Sequence, residues 1–228
     1  MARRPQGRAQ RGSQKWLQIL VNECPGLVDR YLCDFIGLSD EESVHWLSPL
    51  EKDDYAEYRD RQFIDKLGVS LEKVPLNSFW PRFGPVWDGL AKTDRGDLIL
   101  VEAKAHIPEL VSDPTGAEGK SLARIQESLN KAKLCYGSRS GGDWATCFYQ
   151  YANRLAHLYL LRELNDLRAY LLLLCFTNDK EMDGPTSRLE WEGAIRLMES
   201  FLGIRRHKVS DSVLHVFIDV QELESPGT

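Results

Sequence analysis

The spacing of the apolar residues changes in the middle of the chain, from a helical period to short strand-like runs. Residues 84–91 and 97–105 are rich in β-forming residues and are separated by Lys92-Thr93-Asp94-Arg95-Gly96. This pattern predicts a β-hairpin. The later patterns predict, in order, helices at 120–134 and 144–164, a strand at 169–176, a helix near 190–202 and a strand at 213–220.

Helices are predicted for most of the chain before the hairpin. Apolar groups at helical spacing from Lys15 to Leu38 are broken by Pro25-Gly26, which predicts two helices. Another helix is predicted from Asp53 to Leu67. Residues 1–14 are rich in Arg, Gln, Gly and Ser and have little to bury, so we expect a flexible basic arm. The remainder, 15–228, is expected to form one domain.

This order of elements predicts an α/β fold, an α+β-type mixed sheet flanked by helices. A chain of 228 residues is long enough to bury the core that such a sheet needs. The longest apolar run, residues 169–176, is too short to cross a bilayer, which takes ~20 residues. The arginines near the N-terminus are not followed by the apolar stretch of a secretory signal. We therefore expect a cytoplasmic protein.

The charge and the cysteines exclude some classes of function. A net charge of −5 argues against a protein that coats nucleic acid generally, because phosphate neutralisation dominates such binding. It does not exclude a nuclease, since a local basic surface can coexist with an acidic total. Candidates for such a surface are the N-terminal arm and Lys120, Arg124, Lys131 and Lys133. The five cysteines form no CxxC pair, and we expect reduced thiols.

The hairpin brings charged side chains together. Alternation along a strand puts Glu102 and Lys104 on one face and turns Ala103 to the other. A three-residue loop, Asp94-Arg95-Gly96, with Gly96 in the left-handed conformation is a common closure. A hairpin centred on Arg95 pairs position 88 with position 102. Asp88 should therefore face Glu102, with about 5 Å between their Cβ atoms.

Two carboxylates that face each other repel unless a cation lies between them. Asp and Glu oxygens beside open coordination positions suit Mg²⁺ or Mn²⁺. Such a metal lowers the pKa of a bound water and stabilises the charge that develops on phosphorus. Lys104 can donate to the attacking water or to phosphate oxygens. We therefore predict Asp88, Glu102 and the Ala103 carbonyl as metal ligands, with Lys104 as a catalytic residue.

The segment Trp87-Asp88, followed after thirteen residues by Glu102-Ala103-Lys104 on a hairpin, resembles the PD-(D/E)XK nuclease superfamily. Trp87 stands where that family usually has proline. The motif covers about twenty residues, and the element order extends the likeness over roughly residues 50–180. The resemblance implies a restriction-endonuclease-like core, a metal held by the acidic pair and a lysine that assists hydrolysis. The alternative is an exposed, salt-bridged strand of no catalytic use.

Members of that family often add a glutamate from the preceding helix and a polar residue from a following one. Glu57 is the candidate for the first, against the alternative of a surface pair between Glu57 and Arg61. Gln150 or Asn153 is the candidate for the second, against a structural role in the core. One branch of the family has tyrosine where this chain has Arg154.

Three further features lie near the motif. His106 follows Lys104 on the same face and is either a substrate contact or a structural residue. Asp97 has the opposite parity and is predicted to be a turn residue outside the site. The segment Trp80–Pro85 can stack on nucleic acid, or it forms a proline-braced loop packed on the core.

The sequence thus predicts a Mg²⁺- or Mn²⁺-dependent nuclease whose favoured substrate is DNA, and which is compatible with a homodimer. Two alternatives stay open. One is a domain of the same fold that binds nucleic acid without hydrolysing it. The other is a hydrolase of a small phosphorylated or nucleotide substrate, which the acidic net charge keeps in view.

Overall fold

The computed structural model describes residues 3–39, 41–139, 141–204 and 210–224. Its strands, in chain order, are β1 (Arg3–Arg4), β2 (Val44–Ser48), β3 (Glu57–Tyr58), β4 (Gly89–Thr93), β5 (Leu98–Lys104), β6 (Ala169–Thr177) and β7 (Val213–Asp219). Its α-helices are α1 (Gly12–Glu23), α2 (Asp29–Ile36), α3 (Arg61–Leu67), α4 (Leu76–Phe79), α5 (Gly119–Cys135), α6 (Tyr149–Arg162), α7 (Arg188–Leu202) and α8 (Gln221–Glu224). Short 3₁₀ helices cover Pro25–Leu27, Glu51–Asp53, Ile107–Leu110 and Lys180–Met182.

The centre of the fold is a five-stranded mixed sheet in the order β2-β4-β5-β6-β7. The first three strands pair antiparallel, and β5, β6 and β7 pair parallel. The strand β5 is therefore the middle strand of the sheet. A mixed sheet flanked by helices is what the element order predicted, and the structure confirms it. In the described part of the chain, no helix combines the length and apolarity needed to span a membrane.

The apolar run in β6 is buried because both of its faces are covered. Leu171, Leu173 and Cys175 belong to one core cluster, together with residues of α3, α5, α6 and α7. Leu172, Leu174 and Phe176 belong to the other, together with residues of α1 and α2. A strand that is buried on both faces has no need of alternating polarity. The chain thus closes a core on each side of one sheet.

The hairpin β4–β5 forms in the predicted register. Gly89 pairs with Val101, and the pairing continues to Lys92 with Leu98. The Thr93 amide donates to the Asp97 carbonyl at 3.0 Å, which closes the three-residue loop. Gly96 has φ +84°, the left-handed conformation that the loop needs and that glycine adopts without steric cost. This part of the prediction is confirmed.

Two predicted helices differ from the structure. The helix predicted over residues 53–67 is wrong in its first half: a 3₁₀ turn, then β3, precede α3. Asp54, with φ +55°, follows the end of the 3₁₀ turn, and Asp60, with φ +52°, directly precedes α3, so neither residue has helical geometry. The helix predicted from Trp144 begins instead at Tyr149, after Phe148 at φ +57°. Long-range packing overrides the local pattern in both places.

The strand β2 was not predicted from the sequence. It pairs antiparallel with β4 and has a bulge between Trp46 and Ser48. Val44, Trp46 and Ser48 are buried while His45 is exposed, so an alternating pattern exists over five residues. Such a short run is a weak signal by itself, because strand formation depends largely on pairing and packing with the neighbouring strand, here β4.

The segment predicted as a flexible arm makes specific contacts in the structure. β1 pairs antiparallel with β3, with Arg4 opposite Glu57. The Arg3 guanidinium bonds the Asp53 carboxylate at 3.0 Å. Further along, the Gln18 side chain donates to the Gly7 carbonyl at 2.9 Å. Met1 and Ala2 of the arm lie outside the described residues, as do Ser140 and His207 elsewhere in the chain.

Candidate active site

Asp88, Glu102 and Lys104 come together at the end of the hairpin. Asp88 directly precedes β4, and its Oδ2 accepts the Ala103 amide at 2.9 Å. The Lys104 Nζ lies 2.6 Å from the Glu102 Oε1, and both side chains are buried. Even-numbered β5 residues such as Leu100 belong to the core cluster on the α6 side, which is the face that Glu102 and Lys104 share. The predicted parity holds for Glu102 and Lys104, and both charges act on Asp88. The paired residues of the hairpin end at Gly89 and Val101, one position short of Asp88 and Glu102.

Arg154 on α6 completes the surroundings of Glu102. Its Nε donates to the second carboxylate oxygen, Oε2, at 2.6 Å. The same guanidinium donates to the Val86 carbonyl at 2.7 Å and to the Asn153 Oδ1 at 2.9 Å. Its Cζ lies 4.8 Å from the centre of the Trp87 ring. One buried arginine thus ties α6 to both Glu102 and the segment that leads into β4.

Helical spacing puts Arg154 on one face with Gln150 and Asn153, but the sequence does not predict its contact with Glu102. The available signal was a charged residue in a helix whose central positions are apolar. A buried arginine needs partners, so its position alone predicted an acidic residue nearby. The identity of that partner depends on packing between positions 52 residues apart.

Gln150 is brought to the predicted site. Its Oε1 accepts from the Lys104 Nζ at 3.0 Å, and its backbone amide donates to the Ser112 Oγ at 2.8 Å. The ammonium of Lys104 is therefore held between Glu102 and Gln150. Asn153 instead supports Arg154. Asn153 therefore has a structural role in the core, which was the alternative to a role in the site.

Glu57 also reaches the site, but from a strand and not from the predicted helix. An antiparallel bridge between Tyr58 and Trp87 sets Glu57 beside Asp88. Side-chain amides from the N-terminal part of the chain hold its carboxylate, Gln6 at 2.7 Å and Gln14 at 3.2 Å. The alternative of a Glu57–Arg61 pair does not form, since Arg61 pairs with Asp65.

The three carboxylates of the site differ in how far neighbouring cations offset the effect of burial on their pKa values. Burial, the neighbouring Glu102 and, more weakly, Glu57 raise the pKa of Asp88 well above its ordinary value. Burial also raises the pKa of Glu57, and the Glu102 charge adds to that effect. Burial alone would raise the pKa of Glu102, but Arg154 and Lys104 outweigh it and lower the pKa. At Glu57 the charge of Arg4 offsets only part of the rise in pKa, and at Asp88 the charges of Lys104 and Arg154 offset only part of it; only at Glu102 do neighbouring cations outweigh burial.

Lys104 stays a cation in this environment. Burial favours the neutral amine, but the charges of Glu102 and Asp88 outweigh burial and raise the pKa of Lys104. A protonated ammonium has three donors and no acceptor. Lys104 can therefore donate to an anionic or neutral oxygen, and it is not available as a general base.

The donor set fits a divalent metal. Asp88 and Glu102 offer oxygen ligands, and the strand brings the backbone of Ala103 to within 2.9 Å of Asp88 through its amide. Burial and the Glu102 charge raise the pKa of Asp88, and a bound cation would favour its ionised form. Among the described residues, no three His, Cys, Asp or Glu side chains form a metal-binding cluster. The predicted ligand set is smaller, two carboxylates and a carbonyl.

His106 and Asp97 make their polar contacts with residues other than Asp88, Glu102 and Lys104. The His106 Nδ1 lies 2.7 Å from the Glu109 Oε1, and the other oxygen of Glu109 accepts the Ala105 amide at 3.2 Å. His106 therefore closes the turn after β5. Asp97, at the other end of β5, is fully buried and pairs with Arg168 at 2.8 Å. Its exclusion from the site agrees with the prediction.

Comparison with protein-family models, curated proteins and solved structures finds no match for this chain. The case for a function therefore rests on the residues and on their geometry.

Proposed function

We propose that this chain is a metal-dependent nuclease that hydrolyses phosphodiester bonds of DNA, with a restriction-endonuclease-like core. One observation carries the proposal: Asp88, Glu102 and Lys104 converge on one face at the end of a central hairpin. Glu57 and Gln150 border the same group. A cytoplasmic location and a homodimer belong to the same proposal.

Mg²⁺ or Mn²⁺ would be held by Asp88, Glu102 and the Ala103 carbonyl, and it would activate water and neutralise charge on the phosphate. The chain's own residues provide the rest. Arg154 fixes the Glu102 carboxylate, so that its direction does not depend on the metal. Gln150 fixes the Lys104 ammonium, which donates to a phosphate oxygen or to the attacking water.

Protons held by Asp88 and Glu57 couple the site to pH. Their raised pKa values mean that each holds its proton to higher pH than an exposed carboxyl does. A metal held by Asp88 needs the carboxylate form, so its binding displaces the Asp88 proton, and its charge favours the ionised form of the neighbouring Glu57. We therefore expect metal affinity, and with it activity, to increase as pH rises through the raised pKa of Asp88.

A second candidate has its own supporting observation. Both oxygens of Glu102 already accept from buried cations, Lys104 and Arg154. Such a network can stabilise a domain that binds nucleic acid without hydrolysing it. Metal binding at Asp88 separates the two candidates, because a binding-only domain has no need of it.

The test is cleavage of plasmid, linear duplex, single-stranded DNA and RNA with Mg²⁺, with Mn²⁺ and with a chelator. Asp88→Asn keeps an oxygen that can accept the Ala103 amide and removes the charge, so we expect it to fold and to lose cleavage. The exposed Glu41→Gln is the matched control and should remain active. Full activity in Asp88→Asn would disprove the assignment. Metal-dependent cleavage of none of the four substrates would disprove the proposed activity.

A further inference from the structure

The loop Trp80–Pro85, called here the Phe83 loop, presents an aromatic ring to solvent. Phe83 is 69% exposed, whereas its neighbour Trp80 is 3% exposed. A single exposed apolar side chain is ordinary on a protein surface and proves nothing alone. Three further features distinguish Phe83 from such a residue.

The first observation is that the loop holds the ring in a defined place. Phe83 has φ +69°, a conformation that is strained for a residue with a Cβ. The carboxylate of Asp60 accepts the Gly84 amide at 2.9 Å and the Phe83 amide at 3.4 Å. Trp80 packs its ring 4.8 Å from that of the buried His157. These contacts anchor the loop to the core. They hold Phe83 in a strained backbone conformation although its side chain is mostly exposed.

The second observation is the positive charge around the ring. The guanidinium carbon of Arg59 lies 4.9 Å from the Phe83 ring centre, and that of Arg82 lies at 5.9 Å. A neighbouring groove of about 780 Å³ is also lined by Arg61, Arg82 and Arg124. Two acidic residues line it as well, Asp60 and Asp65. Asp60 accepts the loop amides and lies 3.8 Å from the Arg59 guanidinium, and Asp65 pairs with Arg61. Arg82 and Arg124 add positive charge beyond these pairs.

The third observation is the short path from the ring to the carboxylates. Phe83 precedes Asp88 by five positions, which span at most about 18 Å. Between them, the Val86 carbonyl is held by Arg154, the residue that also fixes Glu102. In a stacked strand, with about 3.4 Å per nucleotide, this upper limit corresponds to at most about five nucleotides.

We propose that Phe83, with Arg59 and Arg82, forms a stacking platform for an unpaired base of a nucleic-acid strand. The strand would place a phosphodiester a few nucleotides away at Asp88 and Glu102, so this inference rests on the proposed function. Bases of a duplex stack on each other, whereas the faces of an unpaired base are free for an aromatic ring or a guanidinium. The favoured ligand is therefore single-stranded nucleic acid, or a duplex end with an unpaired overhang.

The experiment measures binding in a chelator, so that hydrolysis plays no part. The probes are a fluorescent oligothymidylate of about a dozen nucleotides, an abasic strand of the same length, and a blunt duplex. Fluorescence anisotropy gives the affinities. We expect the wild type to prefer the strand that carries bases. Phe83→Ala should weaken that binding by about 10-fold and leave the abasic strand unaffected, because stacking needs the base.

Two further variants control this result. Phe83→Trp keeps an aromatic ring and should retain the preference for bases. Leu134→Ala removes a side chain that is 79% exposed on α5, and it should bind like the wild type. Phe83 is largely exposed. The unfolding temperatures of its variants should therefore be close to that of the wild type or above it.

The platform is refuted if the wild type shows no preference for bases over the abasic strand. It is also refuted if Phe83→Ala binds like the wild type, or if this variant loses affinity equally for all three probes. Failure of the nuclease proposal looks different: binding would keep its dependence on Phe83, while metal-dependent cleavage would be absent or insensitive to Asp88→Asn.

Discussion

Replacing Arg154 with methionine removes the cation that ties α6 to the hairpin. The change deletes the bond to Glu102 at 2.6 Å, the bond to the Val86 carbonyl at 2.7 Å and the contact with the Trp87 ring. Breaking a buried ion pair from one side typically costs 3–5 kcal/mol, roughly a third of the stability of many domains. For a chain of this size, we expect the unfolding temperature to fall by about 10 °C.

Chemical and thermal unfolding followed by circular dichroism measures this loss. The matched control is Arg196→Met, because Arg196 lies on the surface of α7 and pairs with Glu192 at 3.5 Å. An exposed pair of that kind contributes at most about 1 kcal/mol. Arg154→Lys should not restore stability, since an ammonium cannot reproduce the forked contacts of the guanidinium. If Arg154→Met costs no more than Arg196→Met, the role given to the buried pair is wrong.

The remaining predictions concern pH, the lysine and the strained loop. Because the pKa of Asp88 is raised in the fold, its contribution to stability is full below the unfolded carboxyl range, about pH 4, and is lost as pH rises through its folded pKa. Above pH 4, the free energy of unfolding should therefore decrease less steeply with pH in Asp88→Asn than in the wild type. Urea unfolding at several pH values measures both slopes, and equal slopes would contradict the pKa shift. Lys104→Met should lower cleavage by about 100-fold or more while Mn²⁺ still binds, and calorimetry beside a cleavage assay checks both; full cleavage removes Lys104 from the mechanism. Phe83→Gly should raise stability by about 1 kcal/mol, because glycine adopts φ +69° without strain; a lower unfolding temperature contradicts the strain.

The hairpin and its charged face were predictable because their determinants are local. The loop Asp94-Arg95-Gly96 sets the register, and alternation along β5 sets the face of Glu102 and Lys104. A few neighbouring residues are enough to specify each of these features. The convergence of Asp88, Glu102 and Lys104 follows from them without knowledge of the rest of the chain.

The rest of the site depends on contacts between distant segments. Glu57 reaches Asp88 because β3 pairs with β1 and bridges to Trp87, and the local pattern predicted a helix there instead. Arg154 finds Glu102 only when α6 packs on the sheet. The N-terminal residues that hold Glu57 carry no apolar pattern, since their contribution is hydrogen bonding. Such pairings are not encoded in short windows of sequence.

The most direct test of a metal centre on this hairpin is a titration of the chain with Mn²⁺ by isothermal calorimetry. The experiment should be repeated in buffers of different ionisation enthalpy, so that proton release is measured along with binding. We predict one site per chain, release of protons on binding as the raised pKa of Asp88 requires, and loss of the site in Asp88→Asn but not in Glu41→Gln. No binding by the wild type, or equal binding by Asp88→Asn, would contradict a metal held between Asp88 and Glu102.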